Sequence, residues 1–198
     1  RTITIQLGSK SGLGRKRPER GAVMPQPVTE RLVIVGGGFA GLALAGRLAQ
    51  AGVPVTLVEA GDHFGGQASS RNQGWLHSGA FFAVEHPQLA HLCYQSLLQT
   101  VRLHPDAIEP AHGQMLYIIS RPETNATEWQ RAWEAAGIPF EEVPRTEARR
   151  ELGEIDVDRL QRVFRLPDRS FRPNLLLEEL AATAQNAGAE LRLQTPIE

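Results

Sequence analysis

The sequence predicts an α/β fold built on a parallel sheet, and three features of its first half carry that prediction. A β-branched run at residues 31–35 leads straight into three glycines, Gly36, Gly37 and Gly38. A segment with helical period follows, and a second apolar run, VPVTLVEA at residues 53–60, comes after it. Strand, helix and strand within about 30 residues make a βαβ unit, whose right-handed crossover sets the two strands parallel.

Each element has its own justification. Residues 31–35 read as a buried strand, and residues 40–51 as a helix, because Leu42, Leu44, Ala45 and Leu48 fall at helical spacing and Gly52 ends the run. In residues 53–60, Val53, Val55, Leu57 and Glu59 alternate with Pro54, Thr56 and Val58, which is the period of a strand. Residues 61–80 show no period and are rich in Gly, Ser, Asn and Gln. An irregular connection that long inside a domain points to a functional loop. Residues 87–104 are expected to be helical, with Leu89, Leu92, Leu97 and Val101 in one stripe and Pro87 in the first turn. GQMLYIIS (113–120) reads as a strand, 127–136 as a helix stopped by Gly137, and FEEVP (140–144) leads into a charged helix at 146–152. RVFRLPDRSF (162–171) reads as strand and turn, 173–187 as a helix closed by Gly188, and AELRLQT (189–195) as a last strand. No internal repeat is visible.

Composition narrows the function classes. A chain of 198 residues that is 41% hydrophobic can bury a sizeable core. Its lone cysteine, Cys93, cannot form an intramolecular disulfide, so no oxidising compartment is required. No apolar run approaches the roughly 20 residues of a transmembrane helix. The expected setting is cytoplasmic, with peripheral attachment to the inner membrane as an alternative. Residues 1–23 hold six basic side chains against Glu19 alone, so residues 24–198 carry fifteen basic against twenty-one acidic residues, a net −6. That balance gives no electrostatic reason to expect nucleic acid as a partner. The basic arm lacks a hydrophobic period and precedes Met24, a candidate true start. A disordered tail is the favoured reading of the arm, with a transit peptide and a polyanion-binding segment left open.

Gly36, Gly38 and Gly41 form G-x-G-x-x-G at the strand-to-helix turn. The first permits the tight turn, the second lets backbone approach a pyrophosphate, and the third lets helix and strand pack closely. The N-terminus of the helix then presents unpaired N–H groups and the positive end of its dipole to the phosphates. Glu59, 18 residues past Gly41 at the end of the second strand, is placed to accept both hydroxyls of a ribose and to disfavour a 2′-phosphate. The combination reads as a Rossmann-type dinucleotide site, against the bland alternative of a glycine-rich turn in an unrelated α/β protein.

The loop decides which dinucleotide. GGQASSRNQGWLHSGAFFA at residues 65–83 resembles the FAD-dependent oxidoreductases of the D-amino-acid oxidase (DAO) superfamily. Within it the similarity is to flavin glycerol-3-phosphate dehydrogenases and L-2-hydroxyglutarate dehydrogenase-like members, which carry a Ser/Thr-rich loop, a Leu/Ile-His-Ser/Gly-Gly segment and then a helix. EPAHGQMLYI and LPDRSFRPNLLLEELAATAQNAGAELRLQTPI extend the resemblance across residues 31–198. It implies a Rossmann-type FAD-binding domain with part of an inserted α+β substrate domain. The expected division is a basic arm at 1–30, the FAD-binding βαβ unit and flavin loop at 31–83, a partial substrate domain at 84–170, and a return to the FAD domain at 171–198. An NAD-binding module is the rival, and the Ser/Asn-rich loop disfavours it.

The cofactor-binding residues so implied are Gly36, Gly37, Gly38, Phe39, Ala40, Gly41, Glu59, Ala60, Ser69, Ser70, Arg71, Asn72, Gly74 and Leu76. Ser69, Ser70 and Asn72 offer neutral donors to a pyrophosphate and Arg71 a charge, while Gly74 and Gly79 allow backbone to approach a flat ring. His77 has four readings: it borders the flavin, carries a covalent flavin link, accepts a proton, or is a hydrogen-bonded structural histidine. Trp75, Phe81 and Phe82 read as packing residues, with the flavin ring or the pocket as one surface they could pack against. The other histidines, His63, His86, His91, His104 and His112, have no metal-ligand spacing with Cys93 or with acids, and no metal is expected.

The activity implied is transfer of a hydride from a CH–OH or CH–NH carbon of a small molecule to flavin N5. Electrons would pass to oxygen, a quinone or a partner protein. Glycerol 3-phosphate or a 2-hydroxy acid is the favoured substrate, with amine and amino-acid oxidation as the alternative. Two departures bear on this. Phe81 stands where glycerol-3-phosphate dehydrogenases usually carry an arginine, the fork that a phosphate needs. The chain also lacks the family's later Ala-Thr-Gly-like turn and Gly-Asp segment. It is therefore expected to be the N-terminal half of such an enzyme, inactive alone, with the catalytic base in the other half.

Overall fold

The computed structural model describes residues 31–109, 115–120 and 125–197. The basic arm, Met24, His112 and the first residues of the strand expected at 113–120 lie outside the described residues. Along the chain the elements are β1 (Leu32–Val35), α1 (Phe39–Gln50), β2 (Val55–Val58), β3 (Trp75–Leu76), α2 (Pro87–Leu103), β4 (Met115–Ile119), α3 (Ala126–Ala136), β5 (Glu141–Glu142), α4 (Arg145–Glu151), β6 (Arg162–Leu166), β7 (Arg169–Ser170), α5 (Pro173–Asn186) and β8 (Glu190–Arg192), with 3₁₀ turns at Ala80–Phe82, Pro105–Ala107 and Val157–Arg159.

β1, β2 and β8 form a parallel sheet with β2 in the middle. The position of β2 explains why its expected alternation is not expressed: all four residues are buried. Val55 and Leu57 face a core of Leu42, Ala45 and Ala49 from α1 and Leu177, Ala181 and Ala184 from α5. On the opposite face Thr56 lies under an ion pair, Arg31 to Glu190 at 2.7 Å, and both partners hydrogen-bond its hydroxyl group. Small residues let α1 and α5 approach, since a β-carbon on Gly46 would stand 3.7 Å from the Ala184 main chain. β1 is an edge strand, and Val33 and Val35 are 58% and 67% exposed.

The second sheet is antiparallel, in the order β4-β6-β5. α3 covers it. Asn125 caps α3 through its side chain, which accepts the Glu128 N–H, and Gly137 closes it in the left-handed region at φ +72°. The cap moves the helix start one residue ahead of the expected 127. Trp133 of α3 is fully buried against Phe164 and Phe140, and its indole N–H donates to the Ala80 carbonyl at 3.0 Å. The loop at 61–80 is thereby tied to this second core. The loop also contains β3, which pairs with β7 across 90-odd residues, Trp75 with Ser170 and Leu76 with Arg169. No helix among the described residues is long and apolar enough to cross a membrane.

Candidate functional site

The glycine turn between β1 and α1 is closed by backbone contact. Gly36 donates its N–H to the Val58 carbonyl at 2.8 Å and turns the chain at φ +103°. A β-carbon on Gly41 would strike the carbonyl oxygen of Gly36, which is main chain and cannot swing aside. Gly38 is the N-cap of α1 and brings no capping side chain, and the first turn holds no acid. Among the described residues, the N-terminus of α1 has one side-chain acceptor in view, the Ser69 hydroxyl, which takes the Phe39 N–H at 3.2 Å. A β-carbon on Gly38 would stand 2.8 Å from that same oxygen.

Glu59 has a structural role that the sequence reading did not assign to it. Its Oε2 accepts the Gly37 N–H at 2.7 Å and its Oε1 the Gly61 N–H at 2.8 Å, so the carboxylate clamps the glycine turn to the end of β2. Gly37 must be glycine for this approach, because a β-carbon there would lie 3.2 Å from the Glu59 side chain and 2.5 Å from the Phe64 ring. Donation by Gly61 and Gly37 holds the Glu59 carboxyl below its ordinary value of 4.5, partial burial opposing. Each carboxylate oxygen keeps a second lone pair for a hydroxyl ligand. Ala60 follows, exposed at the strand end.

The loop residues divide. Ser69 stands against the turn, with its hydroxyl hydrogen still available to a ligand oxygen. Arg71 is exposed and makes no ion pair among the described residues. Asn72, expected to offer a donor, is instead engaged in shaping its own loop, donating to the Ser69 carbonyl at 2.8 Å and accepting the Gly74 N–H at 2.7 Å. The Ser70 N–H donates to the Gly65 carbonyl at 3.1 Å, and its hydroxyl makes a long contact, 3.5 Å, to the Gln67 carbonyl. Gly74, at φ +72°, lies under the Phe171 backbone, whose N–H it accepts at 2.9 Å. Phe39, Ala40 and Leu76 line an apolar groove of about 510 Å³ between α1, α2 and α5, beside Leu103, Phe171 and Leu180. The Phe39 main chain is also part of the turn, through its N–H on Ser69. Phe81 and Phe82 are 70% and 40% exposed and meet each other, edge to face.

His77 has a partner that sequence reasoning missed. Its Nδ1 is 2.8 Å from Asp168 Oδ2, while Asp168 Oδ1 accepts the Ser78 N–H at 3.0 Å. On the outer side Nε2 meets the Gln73 amide nitrogen at 3.0 Å. Asp168 is 1% exposed and is carried on the β6–β7 turn. Its only local signal was its place in LPDRS, and nothing in the sequence links it to a histidine 91 positions earlier. Among the described residues no cluster of three or more His, Cys, Asp or Glu could hold a metal ion.

Comparison with known proteins agrees with this architecture. The anaerobic glycerol-3-phosphate dehydrogenase subunit A1 of Haloferax volcanii is 30% identical over 169 residues, which are 84% of this chain and 28% of that protein. The solved structure of dithionite-reduced L-alpha-glycerophosphate oxidase from Mycoplasma pneumoniae, with FAD bound, matches at a TM-score of 0.65 and 20% identity, over 85% of this chain and 46% of that one. Glycine oxidase from Geobacillus kaustophilus matches at 0.63 and 26% identity, over 85% and 48%. The chain thus spans about a quarter to a half of the length of these relatives. The family model for FAD dependent oxidoreductases (DAO) matches residues 31–198. The chain belongs to the DAO family of FAD dependent oxidoreductases.

Proposed function

We propose that this chain holds FAD at the α1 N-terminus and serves an oxidoreductase that takes a hydride from a CH–OH or CH–NH carbon of a small molecule. The observation that carries the proposal is the acid-free, glycine-capped start of α1, clamped by Glu59 and faced by Ser69. Such a helix start stabilises a pyrophosphate through its N–H groups and dipole, without a basic side chain. The residues present fit the cofactor: Ser69 donates to phosphate, Arg71 adds charge from the rim, and the spare lone pairs of Glu59 take ribose hydroxyls. When bound, the flavin supplies the hydride acceptor. In this reading residues 31–83 and 171–198 form the FAD-binding part and residues 84–170 face the substrate.

Glycerol 3-phosphate or a 2-hydroxy acid is the substrate class we favour, since the Haloferax relative is named for the first. Exposed Phe81 in place of an arginine moves weight toward the second. Amine oxidation is the second reading, favoured by the likeness to glycine oxidase. The 198-residue chain alone is proposed to be inactive, because among the described residues β1 leaves an apolar edge exposed in a type of sheet that normally buries both faces. Titration of the purified chain with FAD, followed by flavin fluorescence, tests the cofactor assignment. Saturable binding that Gly38→Val abolishes is expected, and a folded chain that ignores FAD would refute it. Anaerobic flavin bleaching by any of the three substrate classes would refute the inactivity.

A further inference from the structure

We propose that Asp168 is the positioning residue for a proton acceptor at this site, holding His77 as its Nδ1–H tautomer with Nε2 left as a lone-pair acceptor. The proposal rests on the flavin reading above and adds to it the group that takes the substrate proton, placing it among these residues instead of in the part of the enzyme where the base was expected.

The register of β3 on β7 explains the meeting. Trp75 opposes Ser170 and Leu76 opposes Arg169, so one further step sets His77 opposite Asp168. Directly opposed residues share a face of an antiparallel pair, which brings side chains 91 positions apart into contact. Asp168 is nearly inaccessible, and a buried carboxylate is tolerated only when its oxygens are hydrogen-bonded. One oxygen takes the Ser78 N–H and the other faces His77 Nδ1. A carboxylate only accepts, so Nδ1 carries the hydrogen. A neutral imidazole has one N–H, which leaves Nε2 bare. The Gln73 amide nitrogen, a donor, lies 3.0 Å from Nε2, as that lone pair would require. The ring is therefore held at its inner end and presented at its outer end, with 47% of the side chain exposed.

This is the arrangement that oxidation of a CH–OH or CH–NH carbon requires. Bound FAD would supply the acceptor for the C–H hydrogen and its electron pair, and the O–H or N–H bond would break so that its electron pair forms the new C=O or C=N bond. The released proton goes to His77 Nε2. The resulting imidazolium keeps its Nδ1–H on Asp168, whose negative charge stabilises it. A substrate O–H or N–H donating to Nε2 would take the lone pair that the Gln73 amide faces.

The test is long-range proton–nitrogen NMR of the ring-labelled chain at mildly alkaline pH, with and without FAD, His77 being assigned by the signal lost in His77→Gln. The expected result is a protonated, pyrrole-type Nδ1 and a bare, pyridine-type Nε2. In Asp168→Asn, the amide oxygen stays on the Ser78 N–H and the NH₂ group faces Nδ1, so the ring switches to the Nε2–H tautomer. Gln73→Leu leaves the tautomer as it is in the unmodified chain. A unmodified chain with His77 as Nε2–H, or a folded Asp168→Asn variant that keeps the Nδ1–H form, overturns the proposal; if that variant does not fold, the spectrum of the unmodified chain decides. Failure to bind FAD with the Nδ1–H tautomer intact overturns the flavin reading and the proton-acceptor role with it. FAD binding with the Nε2–H tautomer overturns the Asp168 proposal alone.

Discussion

Replacing Glu59 by Gln separates a clamp from a mere ribose contact. The carboxylate accepts two backbone N–H groups, at 2.7 Å from Gly37 and 2.8 Å from Gly61. Bonds to a charged acceptor contribute about 1.5–3 kcal/mol each, and neutral ones about 0.5–1.5 kcal/mol. Glutamine keeps one oxygen, so one bond becomes neutral, and its NH₂ group meets the other N–H donor to donor. Because Glu59 is half-buried, water satisfies part of that loss, and the expected net cost is about 2 kcal/mol. For a chain of this size that lowers the melting temperature by about 4–8 °C. The sign with pH follows from the lowered carboxyl. The unfolded chain takes up the proton first, so the contribution of Glu59 is complete above the ordinary value of 4.5 and is lost as pH falls through the lower folded value. Thermal melts of both proteins from neutral to acid pH are the assay. Equal melting at neutral pH, or a gap that does not shrink in acid, would refute the clamp.

Further perturbations divide the turn and test the coupling of the two cores. Gly41→Ala drives a β-carbon into the Gly36 carbonyl and is expected to cost about 3 kcal/mol or more, read as loss of the folded chain in urea unfolding. Gly38→Ala meets only the Ser69 hydroxyl, at 2.8 Å, which can rotate away. It should melt within a few degrees of the unmodified chain yet bind FAD more than about tenfold more weakly; undiminished binding would contradict the pyrophosphate assignment. Trp133→Phe leaves the Ala80 carbonyl without its indole donor and should cost about 1–3 kcal/mol. An unchanged urea midpoint would show that the loop is not anchored through α3.

By itself the sequence determined what is local. The β-branched run at 31–35, the spacing of Gly36, Gly38 and Gly41, and the helical stripe of α1 each lie within a few turns of chain. The βαβ unit was legible for that reason, as was the unusual length of the loop after it. The burial of β2 on both faces was not legible, because it depends on β8 arriving from residue 190 and on Arg31 and Glu190 closing over Thr56. The clamping of the glycine turn by Glu59, the use of Asn72 within its own loop and the exposure of Phe81 likewise follow from which groups meet in space. Asp168 is the clearest case. A buried acid in a turn looks like any turn residue in sequence, and only the pairing of β3 with β7 sets its carboxylate against His77. Periodicity and glycine spacing act over short stretches, whereas hydrogen-bond partners across strands are decided by register, which only the folded chain fixes.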